Sequence, residues 1–292
     1  MSTTAAPPRD ASPNGAPGDT NPFSSELCVR NSRYYGFKAG KPALLADPTT
    51  PPELFDAAVA GAFRGFVQAP QFSCVGAKSA VARDSYRMGV YSRLGSAEST
   101  AGLARDLFTF SREARLVPEG DFITFAAIFQ EPTGGDEYDF ERLLWSQLRS
   151  LHARDAELFG WDSSVSSDPA DPEFSFSFAG AAFFVVGLHP HSSREARRFP
   201  WPVLVFNPHA QFVNLREDGR WDRLQQVIRT RDAALQGSLN PNLADHGTAS
   251  EARQYSGRKV EPDWQAPFQP AAPSPARGGC PFGHGRAKGV DS

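Results

Sequence analysis

Two histidines directly follow hydrophobic, strand-like segments within the stretch GLHPHSSREARRFPWPVLVFNPHAQF. His189 follows the apolar run that ends at Leu188, and His209 lies three residues after the run 203–206. A side chain at a strand end is held by the sheet and can point into a cavity, where an imidazole is available to a metal or a substrate. Both histidines are therefore candidate metal ligands. The alternative is that each caps its strand through a hydrogen bond to the backbone.

Arginines are concentrated around and behind these histidines. They are Arg194, Arg197, Arg198, Arg216 and Arg220. One guanidinium binds two oxygens of a carboxylate or a phosphate, so an arginine cluster beside an apolar cleft suits haem propionates or another doubly anionic ligand. The alternative for each of them is an ordinary place on the solvated surface.

The polar segment from Arg229 to Arg258 holds a second group of candidates. Its candidate catalytic residues are Asn240, Asp245, Glu251 and Tyr255, and Arg258 is a further candidate for cofactor binding. Turn-forming pairs such as Asn240-Pro241 fold the segment back on itself. Carboxylates above an apolar pocket can pair with a guanidinium or amine substrate. The alternative is a network of salt bridges with the neighbouring arginines, in which Asp232, on a predicted helix, has a structural role.

The three cysteines are widely separated and lack the close spacings of a zinc site or a disulfide scaffold. This usage favours a reducing compartment, and we expect a cytoplasmic protein. Cys280 precedes a proline near the C-terminus, where a thiolate could bind haem iron. The alternative is an unstructured terminus with an exposed thiol.

Length and composition indicate one domain with loose ends. The chain has 292 residues, 40% of them hydrophobic, which is enough for a sizeable core, and its formal charge of −3 argues against nucleic acid as a partner. Residues rich in Pro, Ser and Gly predict disordered tails over 1–25 and 265–292, around a body over 26–264. The longest apolar run, FSFSFAGAAFFVVGL, is shorter than the roughly 20 residues that span a bilayer, so we expect no membrane segment.

Hydrophobic periodicity predicts the elements that position these residues. Helices are expected over 53–68, from Ser96 or Ser99 to Glu113, and over 138–158 and 221–235. Strands are expected over 86–94, 122–130, 174–188 and 203–206. The combination predicts a single α+β domain with a mixed or antiparallel sheet flanked by helices.

The strings that surround GLHP and FNPHAQF, together with SEARQYSGR, resemble the YqcI/YcgG family. The similarity covers most of the chain between the two tails. Members from natural-product pathways are haem-dependent monooxygenases that hydroxylate a guanidine or amine nitrogen, as in the guanitoxin-type N-hydroxylases. The resemblance therefore implies b-type haem, molecular oxygen and an external electron donor such as a reductase or a ferredoxin-like protein. The implied substrate is arginine or a related small molecule.

The resemblance does not assign the iron ligand to one histidine, and we prefer His209, with His189 next, because neutral imidazole ligation leaves the opposite face of the iron open for oxygen. In a haem enzyme of this kind, Arg197 and Arg198 are expected to bind the propionates. Carboxylates such as Glu251 and Asp245 are expected to steer the substrate nitrogen. Two other readings of the chain remain open. One is a haem sensor or carrier without catalysis, and the other is a haem-free protein that binds a small anion.

Overall fold

The computed structural model describes residues 20–118, 120–217, 219, 221–238 and 248–270. The α-helices in these ranges are α1 (Glu26–Asn31), α2 (Leu54–Gln68), α3 (Val75–Ala82), α4 (Ala97–Ala114), α5 (Glu137–Asp155), α6 (His209–Glu217) and α7 (Trp221–Gln236). The strands are β1 (Tyr34–Lys38), β2 (Lys41–Leu44), β3 (Tyr86–Arg93), β4 (Thr124–Glu131), β5 (Phe176–Phe178), β6 (Ala181–Leu188) and β7 (Val203–Pro208). Short 3₁₀ helices cover Glu195–Arg197 and Glu251–Gln254.

All the strands named above belong to one mixed sheet, in the order β2-β1-β3-β4-β7-β6-β5. Strands β3 and β4 run parallel, and every other neighbouring pair is antiparallel. The parallel pair is joined through helix α4, as a parallel connection requires a crossover. The predicted α+β class with a mixed sheet flanked by helices is confirmed.

The sheet is buried on both faces. Alternate side chains along β4 belong to two different hydrophobic cores. Phe125 and Phe129 belong to the core that the sheet shares with α4 and α5, whereas Ala126 and Ile128 belong to the core shared with α2 and α3. Successive strand residues point to opposite faces, so a strand covered on both sides becomes almost continuously apolar. The sequence of β4 shows this pattern.

The predicted helices agree with α2, α4, α5 and α7 to within a few residues, and Ser96 caps α4 by accepting a hydrogen bond from Ser99 N. The single strand expected over 174–188 is instead a hairpin of β5 and β6. Its turn consists of Ala179 and Gly180, both with positive φ. A bend of this kind reverses the chain where hydrophobicity alone suggests continuity.

The packed body extends beyond the expected range of 26–264 at both ends. Phe23 stacks on Phe178 with ring centroids 5.4 Å apart, and Phe268 is buried beside Trp145. Most of the two expected tails lies outside the described residues. Within the described ranges, no helix combines the length and the apolar character that crossing a membrane requires.

Candidate functional site

A cavity of about 320 Å³ lies between the sheet, helices α2 and α3, and helices α6 and α7. Its size is within the roughly 300–1,000 Å³ that small-molecule sites occupy. Aromatic and aliphatic side chains form most of the wall: Phe63, Val67, Phe72, Phe122, Phe174, Phe184, Val186, Leu188, Val205, Phe212, Trp221, Leu224 and Ile228. Polar side chains form the rest of the wall, among them the charged or titratable Arg194, Arg197, His209, Asp232 and Glu251.

His209 is one of these polar residues, and the change from strand to helix positions it. Strand β7 ends at Pro208, and His209 is the first residue of α6. Its imidazole lines the cavity, with Nδ1 3.3 Å from Ser175 Oγ. The structure thus brings one of the two predicted imidazoles to the site.

Glu251 lines the same cavity and joins a hydrogen-bonded chain that leads to His209. Ser175 Oγ donates to Glu251 Oε1 at 2.7 Å, and Tyr255 Oη donates to the same oxygen at 2.6 Å. Ser175 Oγ is thus shared between Glu251 and His209 Nδ1, and the imidazole tautomer determines which atom donates in the contact with His209. Burial raises the pKa of Glu251 to about 8, although both hydroxyl donors act in the opposite direction.

The segment that carries Glu251 is fixed to the sheet through Tyr255. Tyr255 Oη accepts a hydrogen bond from Phe176 N at 3.0 Å, and Gly187 N donates to Tyr255 O at 2.7 Å. A Cβ atom at Gly187 would lie 2.8 Å from that carbonyl oxygen, closer than real Cβ contacts. Glycine at 187 therefore allows the backbone around Tyr255 to approach β6. Burial raises the pKa of Tyr255 well above its usual range, so its hydroxyl keeps its proton.

Two of the predicted arginines, Arg194 and Arg197, line the cavity in different ways. Arg194 is buried and forms an ion pair with Asp232 at 2.5 Å, which gives Asp232 the structural role expected of it. Arg197 Nη1 donates to the carbonyl oxygens of Gly187, at 3.1 Å, and Tyr255, at 3.4 Å. Burial lowers the pKa of Arg197 to about 10. Arg216, in α6, also faces the cavity.

His189 is not among the residues that line the cavity. Its ring stacks on Phe140 of α5 with centroids 4.4 Å apart, and its Nε2 atom is buried without a hydrogen-bond partner among the described residues. Burial lowers the pKa of His189 to about 4, so the imidazole is neutral near pH 7. The structure places it in the core on the α5 face of the sheet, away from His209.

Two other predicted arginines are outside the cavity wall as well. Arg198 is half exposed and forms an ion pair with Glu195 at 2.9 Å. Arg258 is buried and binds Glu141 at 2.8 Å and Glu261 at 2.9 Å. Both arginines therefore have acidic partners within the protein.

Several predicted site residues lie outside the described part of the chain. They are Asn240, Asp245, Cys280 and Arg220. Their roles stay predictions.

Ser175 and Cys74 are site residues that the sequence reasoning missed. Ser175 is fully buried and precedes β5, and the alternation of Ser175 and Ser177 with phenylalanines was a signal that polar atoms lie on the opposite face of a buried segment. Cys74 lines the cavity and caps α3 by accepting from Ala77 N at 3.5 Å. Nothing in the spacing of the cysteines pointed to it.

In the part of the chain that the structure describes, no three His, Cys, Asp or Glu side chains are grouped as a metal site.

Comparison with known proteins gives consistent results. The YqcI/YcgG family model matches residues 63–269, well over half of the chain. The uncharacterized protein YqcI of Bacillus subtilis (strain 168) is 28% identical over 203 residues, which is 65% of this chain and 77% of YqcI. The uncharacterized protein YcgG of the same strain is 26% identical over 205 residues, 66% of this chain and 78% of YcgG. No solved structure matches the chain significantly. The chain belongs to the YqcI/YcgG family.

Proposed function

We propose that this protein is a haem-dependent monooxygenase that hydroxylates a guanidine or amine nitrogen of arginine or a similar small molecule. The observation that carries the proposal is the convergence of one imidazole, His209, and one buried acid, Glu251, on the same apolar cavity. An iron ligand and a group that pairs with a cationic nitrogen are the two functions that this reaction asks of the protein.

The residues of the cavity fit a haem group in three respects. The aromatic and aliphatic wall suits the faces of a porphyrin. His209 offers a ring nitrogen to the iron. Its Nδ1 atom contacts Ser175, and a hydrogen bond at the second ring nitrogen orients an imidazole ligand. Arg197 and Arg216 supply positive charge for carboxylates. When bound, the iron supplies the activation of molecular oxygen, with electrons from an external donor.

In this proposal Glu251 binds and orients the substrate nitrogen. Its Oε1 atom is held by Ser175 and Tyr255, so the carboxyl group keeps one orientation in the wall. A guanidinium or ammonium group beside it favours the ionised carboxylate. The overall reaction inserts one oxygen atom of O₂ into an N–H bond, and the other leaves as water with two electrons and two protons from the donor and solvent.

A second candidate function is the binding of a small anion without haem. Arg197 favours it, because among the described residues no carboxylate forms an ion pair with this guanidinium. A third, a haem carrier or sensor, shares the haem site but not the reaction.

A turnover assay distinguishes the three. Protein expressed with added haem is incubated with arginine, oxygen and a reductase with a ferredoxin-like donor, and the product is analysed by mass spectrometry. We expect a product with one additional oxygen atom on a guanidine nitrogen. Bound haem without any oxygenated product from arginine or simple guanidines would favour the carrier. A haem-free protein whose melting temperature rises with small anions would favour the binding protein.

A further inference from the structure

We propose that Arg197 forms a carboxylate-binding subsite of the cavity. The carboxylate belongs either to an amino-acid substrate or to a propionate of the porphyrin. The choice between these sources rests on the proposed function, whereas the binding of a carboxylate itself does not.

The hydrogen bonds of Arg197 fix the orientation of its guanidinium and leave some of its N–H donors available to a ligand. Its two hydrogen bonds to described residues are both made by Nη1, to the carbonyl oxygens of Gly187 and Tyr255. Neither Nε nor Nη2 has a hydrogen-bond partner among the described residues. A guanidinium held in this way can present a fork of N–H groups to two oxygens without losing further side-chain freedom.

The positive charge of Arg197 is also not neutralised by the acids around it. Asp232, the acid that acts most strongly on Arg197, forms its ion pair with Arg194 at 2.5 Å. Glu251 is held by two hydroxyl groups. Arg197 is partly buried, and a partly desolvated charge is costly unless it is paired. A bound anion would therefore lower the free energy of the cavity.

The start of helix α3 adds to the same positive region. Its N-cap residue, Cys74, interacts electrostatically with Arg197, and Gly76 and Ala77 in its first turn line the cavity. The N-terminal end of a helix carries partial positive charge. Arg197 and this helix end therefore act on a bound anion in the same direction.

The test compares ligands that differ only in the carboxylate. Haem is compared with its dimethyl ester, arginine with agmatine, which is arginine without its carboxylate, and butyrate with butyramide. Haem binding is followed by absorbance, and the other pairs by the shift in melting temperature. Each pair is measured on the wild type, on Arg197→Met and on Arg198→Met. Arg198 is the matched control, because it is adjacent in sequence but outside the cavity wall.

We expect the wild type to prefer the carboxylate member of at least one pair by roughly ten- to a hundredfold, as for a charged hydrogen bond. Arg197→Met should lose this preference and Arg198→Met should keep it. Loss in the haem pair identifies a propionate, and loss in the arginine pair identifies the substrate. If Arg197→Met does not fold, Arg197→Lys, which keeps the charge without the fork, should weaken the preference.

Two results would overturn the proposal: no preference in any pair on the wild type, or a preference that the Arg197 variants retain. Failure of the proposed function looks different, because a protein that neither binds haem nor hydroxylates arginine can still prefer butyrate to butyramide. Conversely, the enzyme could be active and bind haem dimethyl ester as readily as haem, and agmatine as readily as arginine. That result would contradict the Arg197 subsite but not the proposed function.

Discussion

The protonation state of Glu251 changes the charge of the cavity. Burial raises its pKa to about 8, so near pH 7 most molecules without a ligand carry a neutral carboxyl group at this position. A cationic substrate nitrogen stabilises the ionised form. Binding of such a substrate should therefore release a proton from the site at neutral pH.

We predict that kcat/KM for a guanidine substrate rises with pH through about 8, because ionised Glu251 pairs with the substrate. Glu251→Gln removes the titrating group, so kcat/KM should fall by roughly ten- to a hundredfold and this rise should disappear. Steady-state kinetics from pH 6 to about 9 measure both effects. Glu173→Gln is the control, since Glu173 lines the cavity but is exposed. A Glu251→Gln variant with the wild-type pH profile would contradict this role.

The two histidines show how far residue-level prediction from the sequence can go. Both follow strands, but only His209 reaches the cavity. Leu188 lines the cavity, so the alternation of β6 turns His189 to the opposite face, against Phe140. The sequence indicates that neighbouring strand residues face opposite ways, but which face holds the cavity depends on helices that pack from elsewhere in the chain.

At the element scale, the site depends on how closely the 3₁₀ helix at 251–254 and the residues after it approach β6. We predict that Gly187→Ala lowers the free energy of unfolding by about 1–3 kcal/mol, because the added methyl group meets Tyr255 O at 2.8 Å and Phe140 at 2.7 Å. The same displacement should weaken ligand binding at Glu251.

Urea unfolding measures the loss of stability in Gly187→Ala. Gly160→Ala is the control, because a Cβ atom there meets nothing within 4 Å. Equal stability of the two variants would rule out the close approach.

The long elements could be predicted from the sequence, and the short ones could not. Helices α2, α4, α5 and α7 have enough apolar residues at helical spacing to identify them. Helix α3 is short and consists mainly of small residues, so it has little periodicity. Strands β1 and β2 form a hairpin whose tight turn has positive φ at Ala39 and Gly40, which hydrophobicity does not reveal. The cavity itself requires contacts between distant segments, and only some of its polar lining residues, such as His209 and Glu251, were apparent beforehand.

For the whole molecule, buried acids determine how stability depends on pH. Burial raises the pKa of Asp106 to about 6, of Asp155 to about 7 and of Glu251 to about 8. In the unfolded chain the pKa of such groups is about 4, so the folded protein binds these protons more tightly. Their contribution to stability is complete below about pH 4 and is lost as the pH rises through these folded values.

We therefore predict that the free energy of unfolding falls between about pH 6.5 and pH 9, with each group contributing a slope of at most about 1.4 kcal/mol per pH unit. Below about pH 6.5 the buried His189, whose pKa is lowered to about 4, makes a contribution that rises with pH and opposes this decline. Asp155→Asn keeps an oxygen acceptor for Ala179 N and should make the decline less steep around pH 7. Asp168→Asn, at an exposed aspartate that accepts from Ala170 N, should leave it unchanged. Urea unfolding across this range is the measurement. Stability that rises with pH over the whole interval would contradict the buried-acid account.

The absorption spectrum of the purified protein, expressed with haem available, tests the central claim most directly. The proposed function predicts a Soret band for the wild type that is lost or shifted in His209→Ala. The band should persist in His191→Ala, because His191 is exposed, lies outside the cavity wall and is hydrogen-bonded to the carbonyl oxygen of Thr133. A colourless wild-type protein, or a His209→Ala spectrum identical to that of the wild type, would contradict the account.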